Sequence, residues 1–450
     1  MRRRTSKLPA LPDDVFAAVL ALLPPRSLAA SRCVCKAWRA VVDEHRLLLP
    51  HLLPHVVAGL FVNYRNRRMP RFFVRPASPT ARIDDEFNSL APEEASGVVT
   101  DHCNGLVLLS CRDRDRGVDD LHVCNPATRR RTLLPPRAGD EWDLKDYRVL
   151  RRAYLAFDPA TSLHYEVLLV PPGPTLEQVD RSSGRMRWPP SRWAWPKFSS
   201  RSGRWEETVF VRQGEPAGTA QRLKLGGLEQ PVQSRYRWRY AAYWLGALYV
   251  HCRGEFISRL SLSDDKYQAI QLPGDLPEGY EYLCSFLGKS EKGVYFAVMD
   301  HENWNKHLMV WILNDQTACW SLTHRVKLKP STWWEGYYDY VGKLKLWSRS
   351  LVDAYTGEEK RVLLTKRNVD WSSDDEDVSD LTDQECYWEQ EVDFLGIHPY
   401  KEIIFFSAYR YVGVACHLNS GKIQCLGIYA GGTYPAVNGS FVFTPCLIGD

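Results

Sequence analysis

The chain has 450 residues, of which 44% are hydrophobic and 25% are charged, so it can form a small module plus one large domain, or two medium domains, and can be disordered only locally. Its formal net charge of +4 is small for this length and does not by itself favour a nucleic-acid or phospholipid partner. The 12 cysteines include no CxxC pair, which argues against a disulfide framework and against a structural zinc site.

An apolar run at residues 15–23 follows MRRR and superficially matches a secretory signal. Asp13 and Asp14 directly precede this run and Pro24 and Pro25 follow it, a pattern that signal peptides do not have. No segment approaches 18 uninterrupted apolar residues, so we expect no membrane span. The sequence therefore predicts a protein of the cytoplasm, the nucleus or both.

Residues 12–45 predict three short helices. Four apolar residues at helical spacing form one stripe along the first helix: Val15, Val19, Leu22 and Leu23. Asp13 and Asp14 place negative charge at the positive end of its dipole, and Pro24 with Pro25 ends it. Ser27 is expected to cap the second helix. The third helix is predicted from the spacing of Trp38, Val41, Val42 and His45.

A unit of about 40 residues rarely has enough hydrophobic core to outweigh chain entropy. Its apolar side chains therefore exceed what so small a core can hold, and some of them are expected to face another surface. That surface is either a separate protein or the rest of this chain. Periodicity alone leaves both possibilities open.

The stretch LPDDVFAAVLALLPPRSLAASRCVCKAWRAVV at residues 11–42 resembles the F-box. The resemblance implies a module that docks on the adaptor subunit of SCF-type, cullin-based ubiquitin ligases. It places these residues at the adaptor surface: Leu11, Pro12, Val15, Val19, Leu20, Leu23, Pro24, Leu28 and Val34. It assigns Trp38 and Val41 to the stability of the three helices, and Cys33 and Cys35 are expected to be helical packing residues.

Beyond residue 51 the pattern changes to short runs rich in Val, Leu, Tyr, Phe and Trp, separated by turn residues. Strand-turn-strand units recur, with turns at Asn125-Pro126 and, 33 residues later, at Asp158-Pro159. Such repeats favour a β-propeller of six to eight blades, with a pair of β-sandwiches as the alternative. The predicted fold class is therefore a multidomain α+β chain, a three-helix module followed by a mainly-β domain.

Four pieces of this region resemble the F-box-associated, kelch-like regions of large plant F-box families: DHCNGLVLL, NPATRR, LAFDPATSLHYEVLLV and SGRWEE at 202–207. In those families the propeller captures the protein to be ubiquitinated. The predicted organisation is a basic tail at 1–8, the F-box at 9–50, a connecting segment with the first strands at 51–98, and the propeller-like domain at 99–450. An acidic stretch at 372–391 is predicted to be a mobile loop within that domain.

Motifs for catalysis are missing from the sequence. The GKS at 288–290 lacks the preceding glycine of a phosphate-binding loop, because Leu283 occupies that position. We therefore predict no catalytic residue, no cofactor and no metal ligand. The basic runs at Arg65, Arg67, Arg68, Arg71 and Arg75 and at Arg129, Arg130 and Arg131 are interpreted as hairpin surface, so nucleic acid is not an expected partner.

The main hypothesis is a non-catalytic, substrate-recognition subunit that binds the SCF adaptor, and through it cullin, while the β domain holds a client protein. Aromatic candidates for client contact are Trp193, Trp195, Trp333, Trp334, Tyr337 and Tyr338, each of which also suits blade packing; Trp333, Trp334 and Tyr337 are preferred. The alternatives are a propeller enzyme acting on carbohydrate and an adaptor-binding protein with no degradation client.

Overall fold

The computed structural model of the chain describes residues 12–53, 55–64, 69–73, 96–112, 119–137, 153–174, 176–182, 185–223, 240–252, 256–277, 284–302, 305–328, 350–352, 359–361, 378–379, 393–408, 412–428 and 437–447. Helices occupy the N-terminal part of these described ranges, and nearly all regular structure in the later ranges is β-structure. Of the acidic stretch 372–391, only Val378 and Ser379 belong to the described residues. No helix in the described ranges is long and apolar enough to span a bilayer.

Four helices form the N-terminal module: α1 (Asp13–Ala21), α2 (Pro25–Ser31), α3 (Lys36–Glu44) and α4 (Leu49–Leu52). Pro24 occupies the N-cap of α2 and Pro25 its first turn, so Ser27 lies inside the helix and the prediction that it is the cap was wrong. Proline suits that first position because it has no N–H to leave unpaired. Cys33 and Cys35 lie exposed between α2 and α3, so they are not helical packing residues as predicted.

The β-structure begins at residue 59. Its strands are β1 (Gly59–Tyr64), β2 (Arg71–Phe73), β3 (Ser96–Cys103), β4 (Leu106–Arg112), β5 (Asp119–Asn125), β6 (Arg130–Leu133), β7 (Ala153–Ala156), β8 (Glu166–Leu169), β9 (Arg187–Trp188), β10 (Arg192–Ser199), β11 (Arg204–Gln213), β12 (Gly218–Thr219), β13 (Ala241–Trp244), β14 (Ala247–Cys252), β15 (Phe256–Ser261), β16 (Lys266–Gln271), β17 (Cys284–Ser290), β18 (Gly293–Glu302), β19 (Asn305–Asn314), β20 (Cys319–Leu328), β21 (Ser350–Val352), β22 (Glu359–Arg361), β23 (Val378–Ser379), β24 (Asp393–Ile397), β25 (Ile403–Ala408), β26 (Val412–His417), β27 (Ile423–Ile428) and β28 (Val437–Phe443). One further helix, α5 (Leu176–Arg181), lies between β8 and β9.

Most strands belong to antiparallel sheets in which successive strands are neighbours, and we call these sheets blades. Blade 1 is β3-β4-β5-β6, blade 2 is β7-β8-β10-β11, blade 3 is β13-β14-β15-β16, blade 4 is β17-β18-β19-β20, and blade 5 is β24-β25-β26-β27 with β23 added at its outer edge. Blade 6 joins the two ends of the domain, because β28 pairs with β1 and β1 with β2. The outermost strands of blades 2 and 3, β11 and β16, also pair in parallel.

The blades close into a ring around one axis. The first strand of each blade lies against the first strand of the next, in the order β3, β7, β13, β17, β24, β28 and back to β3. Six clusters of buried apolar residues fill the six spaces between neighbouring blades. The structure therefore confirms the predicted fold class, with six blades in the described part of the chain, and the closed ring excludes a pair of sandwiches.

Turns between the third and fourth strands of blades 1 to 5 share one geometry. Each ends on a residue with positive φ: Arg129, Gly203, Asp265, Ala318 and Gly421. In two of them, Oδ1 of Asn125 or Asn314 accepts bonds from the backbone N–H groups two and three residues later. Asp158-Pro159 instead joins the first and second strands of blade 2. The two turns therefore occupy different places in their blades, and the 33 residues between them are not a blade repeat.

All connections that follow an innermost strand lie on one face of the ring, because the innermost strands run in the same direction; we call it the turn face. The helical module is attached there. Nη1 of Arg46 donates to the carbonyl oxygen of Ala160 at 2.7 Å, and the N–H of Leu447 donates to the carbonyl oxygen of Leu52 at 2.8 Å. His55 stacks on Tyr400 with ring centroids 4.3 Å apart. These contacts fix the module against the propeller.

Candidate functional site

The first helix presents an uncovered apolar face, made of Val15, Val19 and Leu22. These side chains are 46%, 52% and 84% exposed, and they follow the i, i+4, i+7 spacing of one helix side. Val34, in the turn before α3, is 63% exposed. The apolar face is therefore not buried against the propeller. A solvent-exposed apolar stripe on a small module indicates a surface for another protein.

The opposite side of α1 packs into the module. Its core consists of Ala17, Leu20, Leu28, Val41 and Val42. Leu20 and Leu28 were predicted at the adaptor surface, but they are only 2% and 0% exposed, so they belong to this core instead. The three helices pack around these two side chains. The resemblance to the F-box gave the surface assignment, and apolar periodicity alone does not show which apolar residues point inward.

The other residues predicted for the adaptor surface border the apolar face or lie outside the described residues. Pro12 and Pro24 are exposed at the two ends of α1, Leu23 is half-buried, and Leu11 is outside the described ranges. Leu22 was not in the predicted set, although it is the most exposed large apolar residue of the module. Its position three residues after Val19 on the same stripe was the signal that could have identified it.

The helices of the module are tied together by two kinds of contact. The ring of Phe16 lies edge-on to Trp38 with centroids 4.9 Å apart, and Trp38 packs on the buried core that includes Val41. Arg32 forms a bidentate ion pair with Asp43: Nε donates to Oδ1 at 2.6 Å, and Nη2 donates to Oδ2 at 3.0 Å. Bonding to the Arg32 guanidinium lowers the pKa of Asp43. These contacts hold α1 and the end of α2 against α3.

A second candidate site is a small cavity on the propeller axis, about 60 Å³ in volume. Polar residues of the innermost strands and their turns line it: Asp101, His102, Asn104, Tyr243, Lys289 and Ser440. Burial raises the pKa of the Asp101 carboxyl to about 7, although Oδ2 accepts a 2.7 Å bond from the N–H of Leu155. Burial, and then the charge of Lys289, lowers the pKa of His102 to about 4.

The carboxyl groups that line the axial cavity bear on the carbohydrate alternative. Acid–base hydrolysis of a glycosidic bond takes a pair of carboxyl groups, whereas the described lining of the cavity contributes a single carboxyl group, that of Asp101. Within the described ranges, no group of three or more His, Cys, Asp or Glu side chains could hold a metal ion.

The aromatic residues proposed for client contact divide into two groups. Trp193 and Trp195 are 3% and 0% exposed and pack between blades 2 and 3, so both are packing residues. The other candidates, Trp333, Trp334, Tyr337 and Tyr338, lie outside the described residues. Among the basic runs, Arg129, Arg130 and Arg131 are exposed in the last turn and edge strand of blade 1.

Comparison with known proteins identifies the helical module. The F-box domain family matches residues 8–49, which include α1, α2 and α3. Residues 8–49 form an F-box domain. An F-box domain indicates binding to an SCF adaptor, and its exposed side here is the apolar face of Val15, Val19 and Leu22.

F-box proteins are also relatives of the chain over longer stretches. F-box protein At5g07610 of Arabidopsis thaliana is 25% identical over 342 residues, which is 71% of this chain and 70% of that protein. F-box protein At3g08750 of Arabidopsis thaliana is 30% identical over 132 residues, 29% of this chain and 32% of that protein. The first match extends well beyond the F-box into the propeller.

Solved structures resemble the chain at low scores. YCF48 from Cyanidioschyzon merolae aligns over 84% of this chain and 88% of its own, with a TM-score of 0.32 and 10% identity. A polysaccharide lyase titled PL25-Ulvanlyase aligns over 84% of this chain and 76% of its own, with a TM-score of 0.31 and 10% identity.

Proposed function

We propose that this chain is the substrate-recognition subunit of an SCF-type ubiquitin ligase. In this proposal residues 9–50 dock on the adaptor, which joins the chain to cullin, and the propeller holds a client protein for ubiquitination and degradation. The subunit itself makes and breaks no bond and uses no cofactor, and it acts in the cytoplasm, the nucleus or both. The observation that carries the proposal is an F-box domain whose apolar face stays exposed beside the propeller.

The adaptor surface proposed here differs from the one expected from the sequence. It consists of Val15, Val19 and Leu22, with Pro12, Pro24, Leu23 and Val34 at its edges, and it omits Leu20 and Leu28, which fill the core. Fully burying a valine or leucine side chain contributes ~1.5–3 kcal/mol. These three side chains are about half to four-fifths exposed in the free chain. Their burial by the adaptor therefore contributes a substantial part of the free energy of binding.

The contacts between the F-box and the propeller support a role in positioning a client relative to the adaptor. Arg46 and Leu52 bond to the turn face and to the C-terminal segment, and Leu53 packs into the cluster between blades 1 and 2. A client held on the propeller is then kept at a fixed distance from the adaptor. Ubiquitin transfer benefits because holding two reactants together raises their effective concentration.

Capture of the purified adaptor by the full-length chain tests the docking surface. We expect Val19→Lys plus Leu22→Lys to lose adaptor capture, because both cations would have to be buried without partners. Lysine is chosen because it is a good helix former and its charge suits the C-terminal end of α1. The matched control is Leu133→Lys plus Leu322→Lys, on outer strands of blades 1 and 4, where the wild-type side chains are 54% and 42% exposed. Equal capture by both variants would refute the docking surface.

Experiments in cells test which client proteins the chain binds and whether those clients are degraded. Because Val19→Lys plus Leu22→Lys leaves the propeller intact, this variant is expected to bind clients without transferring ubiquitin to them, and proximity labelling should enrich the same proteins with both forms. Clients of a degradation receptor accumulate when the chain is depleted. Proteins that are labelled by both forms but whose abundance does not change on depletion would support the non-degradative alternative instead.

A further inference from the structure

The segment from the end of α5 through β9 to β12, which lies in and beside blade 2, is rich in positive charge. Residues 181–223 contain nine basic and three acidic residues, an excess larger than the net charge of +4 for the whole chain. Four exposed arginines of this segment lie on the rim of the blade, and we call them the basic rim: Arg185, Arg187, Arg192 and Arg222. None of the four has a carboxylate partner among the residues that the structure describes.

Backbone pairing brings the basic rim together. In the short pair of β9 and β12, Arg187 lies opposite Thr219, and the N–H of Arg222 donates to Oγ1 of Thr219 at 3.3 Å. The N–H of Ala220 donates to the carbonyl oxygen of Met186 at 2.7 Å. The two chain segments that carry the arginines are therefore fixed side by side.

A further arginine, Arg212, supports this arrangement without being part of the rim. Its backbone N–H donates to the carbonyl oxygen of Ser191 at 2.8 Å, and its half-buried guanidinium donates to the carbonyl oxygens of Pro189 and Gly214. The segment 189–192 is thereby held in place beside the end of β11. The backbone next to Arg192 is thus already ordered before a partner binds, which lowers the entropy cost of binding at this residue.

The basic rim lies away from the F-box. Arg192 begins β10, and β10 ends at the turn 200–203 on the turn face, to which the F-box is attached. The rim therefore occupies the other end of blade 2. Among the described residues, the acidic ones nearest to it are Glu177 and Asp180 in α5, Glu215 after β11, and Asp264 and Asp265 in the turn that meets the end of β11. Asp264 is paired with Lys266 at 3.4 Å.

From these observations we infer that the basic rim binds an acidic segment of the client protein. Guanidinium groups bind carboxylates through paired N–H donors. Several exposed arginines that have no carboxylate partner among the described residues therefore favour a peptide with several Asp or Glu residues. Nucleic acid fits less well. Binding of single strands uses exposed aromatic rings for stacking, and the tryptophans of this blade edge, Trp188 and Trp193, are 6% and 3% exposed.

This inference rests on the proposed function and names the client class. Fluorescence polarisation with the full-length chain tests it, using a labelled peptide of alternating glutamate and glycine and the same peptide with glutamine. We expect the glutamate peptide alone to bind, with an affinity that falls as NaCl rises. The double variant Arg187→Glu plus Arg222→Glu, which we call the rim variant, should bind the glutamate peptide at least about tenfold more weakly than the wild type.

The matched control is Arg201→Glu plus Arg204→Glu, an identical change of charge at exposed arginines on the turn-face end of the same blade. The control should bind the peptide like the wild type, and both variants should keep the wild-type thermal unfolding midpoint. Equal loss in both variants, or no loss in either, would overturn the inference. So would tighter binding of a single-stranded DNA oligonucleotide that the rim variant loses, since that result identifies a nucleic-acid surface.

Adaptor capture, measured on the same samples, separates this inference from the proposed function. Val19→Lys plus Leu22→Lys should no longer capture the adaptor but should still bind the glutamate peptide. The rim variant should still capture the adaptor but should lose binding of the peptide. If the rim variant keeps the peptide while the wild type captures the adaptor, the inference fails and the proposed function stands. If the wild type binds the peptide through the rim but no adaptor, the proposed function fails and the acidic-peptide site stands.

Discussion

Nζ of Lys289 donates to Oδ1 of Asn104 at 2.9 Å, and this bond links blades 4 and 1, which lie opposite each other in the ring, across the axial cavity. Nδ2 of Asn104 also donates to the carbonyl oxygen of Phe157 at 2.6 Å, at the end of the first strand of blade 2. One asparagine side chain thus connects three blades at the turn face.

This link predicts an energetic coupling between Asn104 and Lys289. Lys289→Met should cost about 1.5–3 kcal/mol, because it removes a hydrogen bond donated by a charged, half-buried group. Asn104→Ala should cost more, since it also removes the bond to Phe157. In a double-mutant cycle measured by chemical denaturation, the Lys289→Met cost should nearly vanish in the Asn104→Ala background. Additive costs would show that the bond contributes nothing to stability.

Gly105 is the position in this region with the least room. It has φ +93°, and a Cβ built there would lie 2.3 Å from Cβ of Cys446 and 2.6 Å from its backbone nitrogen. Gly105→Ala should therefore destabilise the protein by about 3 kcal/mol or more, because the C-terminal segment would have to move. The free energy of unfolding from urea titration measures the effect.

Gly246 provides the matched control for that substitution. It occupies the equivalent turn of blade 3, with φ +75°, and nothing lies within 4 Å of a Cβ built there. Gly246→Ala should cost only the backbone strain of a left-handed alanine, about 1 kcal/mol. Equal costs at the two glycines would mean that close packing on Cys446 does not matter.

Asp101 predicts a specific dependence of stability on pH. Burial raises its pKa to about 7 in the folded protein, against 3.8 for the free side chain. The folded state holds the proton more tightly than the unfolded state, so this group stabilises the fold fully below pH 4. That stabilisation is lost as the pH rises from about 4 through 7.

Asp101→Asn should remove this dependence. The amide oxygen can still accept the N–H of Leu155, and the side chain stays neutral at every pH. The variant should therefore unfold at a higher temperature than the wild type at pH 8, by ~2 °C or more, with a smaller difference near pH 4. Thermal unfolding of both proteins from pH 4 to 8 gives the difference curve. A flat curve would contradict a raised pKa.

The sequence predicted the helices of the F-box more completely than the blades of the propeller. The helices of the F-box followed from local signals: proline at both ends of α1, acidic residues in its first turn and apolar residues at helical spacing. The alternating strands of the propeller were also local. Which strands belong to one blade was not, because turns such as Asn125-Pro126 and Asp158-Pro159 share their chemistry and occupy different places in a blade.

The closure of the ring lay beyond local patterns altogether. Blade 6 depends on the pairing of Phe61 with Phe441, 380 residues apart along the chain, and no turn marks it. The basic rim was missed for a similar reason. Arg187 and Arg222 are 35 residues apart, and they meet only because β9 pairs with β12. The resemblance to the F-box placed Leu20 and Leu28 at the adaptor surface, and periodicity could not separate them from docking residues, since core and docking residues of a small helical module are equally apolar.

Leu28 therefore makes a different prediction from Val19 and Leu22. Leu28→Ala should cost ~2–5 kcal/mol, because it leaves a cavity among Leu20, Val41 and Val42. That loss is large for a module of about 40 residues, so hydrogen exchange should report lost amide protection across α1 to α3. Val19→Lys plus Leu22→Lys should leave that protection close to the wild type, since exposed positions change stability by about 0.5 kcal/mol or less. Both variants should fail to capture the adaptor, the first through unfolding and the second through its surface. If Leu28→Ala kept full amide protection and lost the adaptor, Leu28 would contact the adaptor directly, and the proposed division between core and apolar face would have to be redrawn.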